Sequence, residues 1–253
     1  MTPLTSKDNP KVKRWIRLAS DARYRRTEKR ALIEGPHLLA AALQHGVRPV
    51  TVLVTEEGAA DAEIAALLPA NAVMLGKGVF RAIVDSDTPQ GVAAEIGILS
   101  SPSRGSGRTV FLEGIQDPAN VGAIMRSAAA FGIGRVVLDR ACADPWSPRA
   151  LRAGAGGHFA LAIAETSDLA AEIEAFKGTV ACTVPRGGMA LADAPLDRGA
   201  AWIFGAEGSG LSDEIIRRAD VRVTIPMAAG TESLNVAAAA AICLYESFSR
   251  SAG

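Results

Sequence analysis

Asn120, Arg126, Glu207 and Ser233 are the residues whose types and settings could do chemistry in this chain. They stand on three glycine-bearing stretches. The first is EGIQDPANVG, residues 113–122, which leads into Arg126. The second is GAEGSGL, residues 205–211, and the third is PMAAGTESLN, residues 226–235. Glycine lets a backbone approach a ligand closely. Arg126 stands in an otherwise apolar run, VGAIMRSAAAF. A guanidinium is costly to bury unpaired, so it either snorkels to water or faces an anionic ligand. Asn120 is expected to start that helix. Glu207, in its glycine loop, suits a surface role or a polar ligand equally. Ser233 is placed to cap the last helix, which alone would account for it.

Other chemistries are absent from the sequence. There is no GxxxxGK[ST], no GxGxxG after a strand, no GxSxG and no HExxH. The three histidines, His37, His45 and His158, are too sparse for a metal cluster, and no metal is expected. Cys142, Cys182 and Cys243 are far apart without CxxC spacing, which argues against a zinc site or a disulfide framework and makes a reduced, cytoplasmic setting the default.

The elements that must position the three stretches alternate along the chain. In the first part helices are expected over 11–30, 36–45, 61–68 and 79–84, with strands over 31–34, 50–54, 72–75 and 91–98. A linker-like run, SSPSRGSG over 100–107, marks a domain boundary. Beyond it strands are expected over 109–112, 135–138, 159–163, 179–184, 201–204 and 221–225. Helices are expected over 121–131, 147–152, 169–176, 212–218 and 233–249. This is an α/β chain: a small domain over 1–100, a linker over 101–107 and a mostly parallel, doubly covered sheet over 108–253. Ligands on such a sheet sit beyond the carboxyl ends of the strands, where the three stretches converge.

Composition bounds the reading. Of 253 residues, 49% are hydrophobic and 21% charged, so the chain is neither disordered nor, with its longest apolar run at 236–245, membrane-spanning. The N-terminus lacks the apolar core of a secretory signal. Lys plus Arg and Asp plus Glu are 27 each, yet residues 1–30 carry a net +7, 31–100 a net −5 and 101–253 a net −2. A basic segment on a neutral protein suggests a polyanion footprint or, equally, a solvated helix face. Trp15 and Tyr24 could stack on bases, although Trp15 better suits the buried side of the helix.

At the three stretches the chain resembles the SpoU/TrmH family of RNA 2′-O-ribose methyltransferases, within the SPOUT superfamily. The family motifs are matched by NVGAIMRSAAAFG (120–132), FGAEGSGL (204–211) and IPMAAGTESLNVAAAAAI (225–242), in order and with spacing intact. NPKVKRWIRL and LIEGPHLLAAAL resemble the small substrate-binding domain, related to ribosomal protein L30e, that precedes many such enzymes. The third motif often reads SLNVS, whereas Ala237 stands at its last position here.

The resemblance implies a C-terminal α/β trefoil-knot (SPOUT) domain preceded by an L30e-like α/β domain. It implies S-adenosyl-L-methionine as cofactor, a homodimer and an RNA substrate, ribosomal RNA favoured and transfer RNA possible. The catalytic positions it implies are Asn120, Arg126, Glu207, Ser233 and Asn235. The cofactor positions are Gly205, Glu207, Gly208, Ile225, Pro226, Met227, Ser233, Leu234 and Asn235. Arg126 would act on the 2′-hydroxyl. A guanidinium is a poor base, so Arg126 is expected to bind the adjacent phosphate and stabilise the developing alkoxide, with Asn120 orienting it or the ribose. The competing readings are a silent RNA-binding module on the same fold, a small-molecule nucleotide enzyme, and a SPOUT enzyme that methylates a base.

Overall fold

The computed structural model describes residues 2–99, 107–196, 199–228, 230 and 233–252. Most of the expected linker, 100–106, lies outside the described residues. The chain runs through α1 (Pro10–Ser20), α2 (Ala22–Glu28), β1 (Arg30–Glu34), α3 (Pro36–Gln44), β2 (Thr51–Val54), α4 (Glu56–Ala60), α5 (Ala62–Ala65), β3 (Val73–Met74), α6 (Lys77–Ile83) and β4 (Val92–Gly97). It continues with β5 (Thr109–Glu113), α7 (Pro118–Ala130), β6 (Arg135–Asp139), α8 (Pro148–Gly154), β7 (Ala162–Thr166), α9 (Leu169–Glu174), β8 (Val180–Thr183), β9 (Met189–Ala190), β10 (Ala201–Gly205), α10 (Asp213–Ile216), β11 (Val221–Thr224) and α11 (Val236–Ala252). No helix among the described residues is long and apolar enough to cross a membrane.

Two compact units form. One comprises Met1–Leu99 with Asp144–Phe159, the other Ser100–Ala143 with Ala160–Gly253. In the first, the single helix expected over 11–30 is two helices. Asp21 breaks it: its backbone is extended, its N–H donates to Arg17 O, and its carboxylate accepts from Tyr24 N at 2.9 Å to start α2. Val12, Trp15 and Leu18 turn one face of α1 into the core, where they meet Leu32, Leu53, Phe80 and Ile83. The sheet runs β1-β4-β2-β3, with β4 antiparallel to both neighbours and β2 parallel to β3.

The boundary expected at 101–107 is therefore not the only crossing between the units. Residues 144–159, expected in the second domain, belong to the first unit. The physical reason is a buried ion pair: Arg25 Nε donates to Asp144 Oδ2 at 2.6 Å, while Arg25 Nη1 donates to Leu18 O at 2.6 Å. Arg152 of α8 adds Asp85 at 3.0 Å. Phe159, expected to begin a strand, is buried in a short 3-10 turn, and β7 starts at Ala162.

In the second unit seven strands run β7-β6-β5-β10-β8-β11-β9, and every pairing is parallel. Gly205 at the end of β10 lies in register with Glu113 at the end of β5, so the loops leaving these strands are neighbours. After β11, α11 packs on α7 and β10. Trp202, fully buried, fixes α11 by donating Nε1–H to Ser247 Oγ at 2.9 Å. The helix expected from 121 starts at Pro118, because Asp117 caps it by accepting from Ala119 N at 2.9 Å. Asn120 therefore lies in its first turn rather than starting it.

Candidate active site

The three stretches meet at the carboxyl ends of β5, β10 and β11. Asn235 is the pivot. Its Oδ1 accepts from Ala237 N at 2.9 Å and Ala238 N at 3.2 Å, capping α11. Ser233, expected to be that cap, is two residues outside it and exposed, because the helix starts only at Val236. With its oxygen committed to the helix, Asn235 turns its NH₂ outward and donates to Asn120 Oδ1 at 3.0 Å. Asn120 must then present its own NH₂ on the other side, where it donates to Glu207 Oε1. An amide has one acceptor end and one donor end. The cap on α11 thus sets the polarity of a relay that joins all three stretches.

The middle stretch is shaped by its glycines. Gly210 N–H donates to Ala206 O at 2.9 Å, closing residues 206–210 into a tight loop. A Cβ on Gly205 would lie 2.5 Å from the Gly210 carbonyl carbon, a distance real side chains do not tolerate. Gly210 itself has φ +68°, in the left-handed region. The loop is tied to β5 where Ser212 donates through N and Oγ to Glu113 at 2.8 and 2.7 Å.

Beside this loop is a cavity of about 440 Å³. Of the residues the resemblance assigns to the cofactor, Gly205, Glu207, Gly208, Ile225, Met227, Ser233 and Leu234 line it, while Pro226 and Asn235 do not. Its wall also takes in Thr183, Val184 and Pro185, which the sequence reading did not single out. They follow β8, the parallel neighbour of β10, so the strand-end rule could have found them. The volume falls in the range of small-molecule sites. Ile225, Met227, Leu234 and Val236 line it together with Gly205, Gly208 and Gly210. Such walls fit S-adenosylmethionine, whose adenosine has flat apolar faces and a polar edge that backbone groups can read.

Arg126 stands apart from the relay. It lies six residues beyond Asn120, which in helix geometry is about 9 Å along the axis and about 120° around it. It is exposed and has no hydrogen-bond or ion-pair partner among the described residues. It is not on the wall of the cavity.

The other titratable groups are structural. All three cysteines are free and buried, and burial raises the Cys182 thiol to about 11. His158 is buried, with Nε2–H donating to Pro145 O at 2.8 Å, and burial holds its pKa down to about 4. The basic N-terminal segment is partly spent on the fold. Arg25 is in the ion pair with Asp144, and Arg14 and Arg30 lie 2.6 and 3.6 Å from the buried carboxylate of Glu95. Trp15 is also buried there, donating to Glu95 at 3.0 Å. Lys7, Lys11, Arg23 and Lys29 remain exposed and uncommitted among the described residues.

Comparison with known proteins places this geometry. Residues 107–245 match the SpoU rRNA Methylase family, and residues 9–94 match the MRM3-like substrate binding domain. The chain is 30% identical over 247 residues to the 23S rRNA (guanosine(2553)-2′-O)-methyltransferase RlmP of Bacillus subtilis, covering 97% of this chain and 98% of that one. A crystal structure of an RNA 2′-O ribose methyltransferase superposes with a TM-score of 0.84 at 28% identity over the whole of both chains. The AdoMet-bound rRNA methyltransferase of Sinorhizobium meliloti superposes with a TM-score of 0.83 at 28% identity, over 98% of each chain. The family match covers more than half the chain, and the Bacillus relative is similar from end to end. The chain belongs to the SpoU rRNA methylase family of S-adenosylmethionine-dependent RNA 2′-O-ribose methyltransferases, and carries an MRM3-like substrate-binding domain ahead of its SPOUT domain.

Proposed function

We propose that this protein methylates a ribose 2′-hydroxyl in ribosomal RNA, acting in the cytoplasm as a homodimer. The observation that carries the proposal is the Asn235–Asn120–Glu207 relay, which reaches through Glu207 the wall of a cavity with apolar and glycine walls. The ribosomal target is favoured because the Bacillus relative, similar over its full length, acts on 23S rRNA. The placement of α11 beside α7 after β11 supports the trefoil knot that the family resemblance implies.

When bound, S-adenosylmethionine supplies a methyl on a sulfonium leaving group. The protein's part is to bring the ribose oxygen into line and to support the charge that develops as it loses its proton. Gly205, Gly208 and Leu234 would hold the cofactor through backbone and apolar contacts, and Ile225 and Met227, on either side of Pro226, would continue that wall. Asn120 and Asn235 hold their loops at a fixed spacing, and Glu207 accepts from Asn120, which restrains the glycine loop. Ser233 offers a hydroxyl on the same wall. Arg126, with its guanidinium uncommitted, binds the phosphate next to the target ribose and stabilises the alkoxide. It does not take the proton, which passes to a phosphate oxygen or water, because a guanidinium is a poor base.

Two further features support the reading. Ile242, Tyr245 and Phe248 leave an apolar stripe of α11 exposed at 41%, 58% and 41%. Phe131, just beyond α7, packs against it with ring centroids 5.8 Å from Tyr245 and 6.0 Å from Phe248. A stripe of this kind fits a subunit interface. The free cations of the first unit fit RNA phosphates.

The test is incubation with methyl-labelled S-adenosylmethionine and RNA from cells lacking the protein. Label in large-subunit ribosomal RNA as a 2′-O-methyl nucleotide is expected. Label confined to transfer RNA, or carried on a base, overturns the proposal.

A further inference from the structure

Arg186, Arg217 and Arg222 line one cleft of about 490 Å³ in the second unit, with Asp213 as the only acidic residue on its wall among the described residues. All three are exposed, and none of their guanidiniums has a hydrogen-bond or ion-pair partner among the described residues. Gathering three guanidiniums around one cleft is electrostatically unfavourable without a counter-charge. The end of α10 can account for Arg217, since helix C-termini favour cations, but not for the other two. Arg222 is exposed because strand alternation turns Val223 fully into the core. Arg186 sits on a turn that is fixed in place. Thr224 Oγ1 accepts from Gly188 N at 3.0 Å and donates to Val184 O at 3.1 Å. A Cβ on Gly188 would lie 2.8 Å from Val223 C, so this turn is pressed against β11. The cleft shares Val184, Pro185 and Ile216 with the wall of the cofactor cavity.

We infer that this cleft is a second RNA-binding site, in which Arg186, Arg217 and Arg222 hold consecutive backbone phosphates of the substrate strand beside the methyl-transfer site. The inference rests on the RNA-methylating reading and goes beyond it, because that reading assigns RNA contacts to the basic first unit and, in the second, to Arg126 alone. Guanidinium forks match phosphate oxygens, and the contacts carry no base information. The second unit therefore contributes affinity and register, and the choice of sequence is made elsewhere.

The test is binding of a large-subunit ribosomal RNA transcript across a salt series by the wild type, the R186Q/R217Q/R222Q triple variant and the corresponding triple lysine variant. Each phosphate contact contributes roughly 0.7–0.9 to the slope of log affinity against log salt. The glutamine triple is expected to bind RNA at least about tenfold more weakly at moderate salt, with a slope shallower by about 2, and to bind S-adenosylmethionine as the wild type does. The lysine triple is expected to keep most of the slope. A glutamine triple with wild-type cofactor affinity and unchanged RNA slope overturns the inference. Loss of cofactor affinity in that variant, with the lysine triple still folded, also overturns it by assigning the arginines to the cofactor. A wild type without RNA affinity would refute the methylation reading itself.

Discussion

Asn235 donates its side-chain N–H to the side-chain oxygen of Asn120 at 3.0 Å, across 115 residues of chain. The bond has a fixed direction because the other end of Asn235 is held by the first turn of α11. One residue thus ends a loop, starts a helix and orients a second amide toward Glu207.

Asn235→Asp separates these roles. An aspartate keeps the cap, so thermal stability should stay within about 1 kcal/mol of wild type, whereas Asn235→Ala should lose about that much. The aspartate removes the donor to Asn120 and sets a second carboxylate near Glu207. Methyl transfer should fall at least about tenfold in both variants, and calorimetry beside single-turnover assays separates the effects. Full activity in the aspartate variant would show that the relay does not matter.

Gly205→Ala should abolish cofactor binding while leaving the sheet folded. Its Cβ would meet the Gly210 backbone at 2.5 Å and push open the loop that walls the cavity. Gly134→Ala is the control, since nothing lies within 4 Å of its added carbon and it is not on the cavity wall. Titration calorimetry with S-adenosylmethionine should show loss in the first variant and near wild-type affinity in the second.

His158 makes stability depend on acidity. Burial holds its pKa at about 4, below the ordinary value of 6.5, so the unfolded chain takes up the proton first. Stability should be level above pH 7 and fall as pH drops from about 6.5 towards 4, by on the order of 3 kcal/mol. Urea midpoints measured across that window should show the slope in the wild type, and His158→Gln should flatten it.

Tyr245→Glu with Phe248→Glu should convert the proposed dimer to monomer. The pair would set two carboxylates on the exposed stripe of α11 without disturbing its buried face, which holds Cys243 and Leu244. Sedimentation velocity should report half the wild-type mass. An unchanged mass would move the interface elsewhere.

Legibility in the sequence followed the range of the interactions. The convergence of the three stretches was readable because strand-end loops in a parallel sheet meet by rule, and the glycines marked where backbone packs on backbone. The cap on α11 was misplaced to Ser233, since Ser and Asn serve equally well and only the true first residue, Val236, decides between them. The break at Asp21 was hidden inside a continuous basic run. The return of residues 144–159 to the first unit was beyond reach, because Arg25 and Asp144 are 119 positions apart and neither is unusual in its own neighbourhood. The net charge of the N-terminus was legible, but its partial commitment to the buried Glu95 was not.

The central claim, methyl transfer to a ribose oxygen assisted by a guanidinium, is tested most directly by mapping alkali-resistant linkages in large-subunit ribosomal RNA treated with wild-type and Arg126→Ala protein. The wild type should leave one resistant linkage, as a 2′-O-methyl group blocks cleavage. The variant should bind cofactor and RNA normally and leave that linkage cleavable. A resistant linkage installed at the wild-type rate by the alanine variant, or methyl groups found only on bases, would contradict the account.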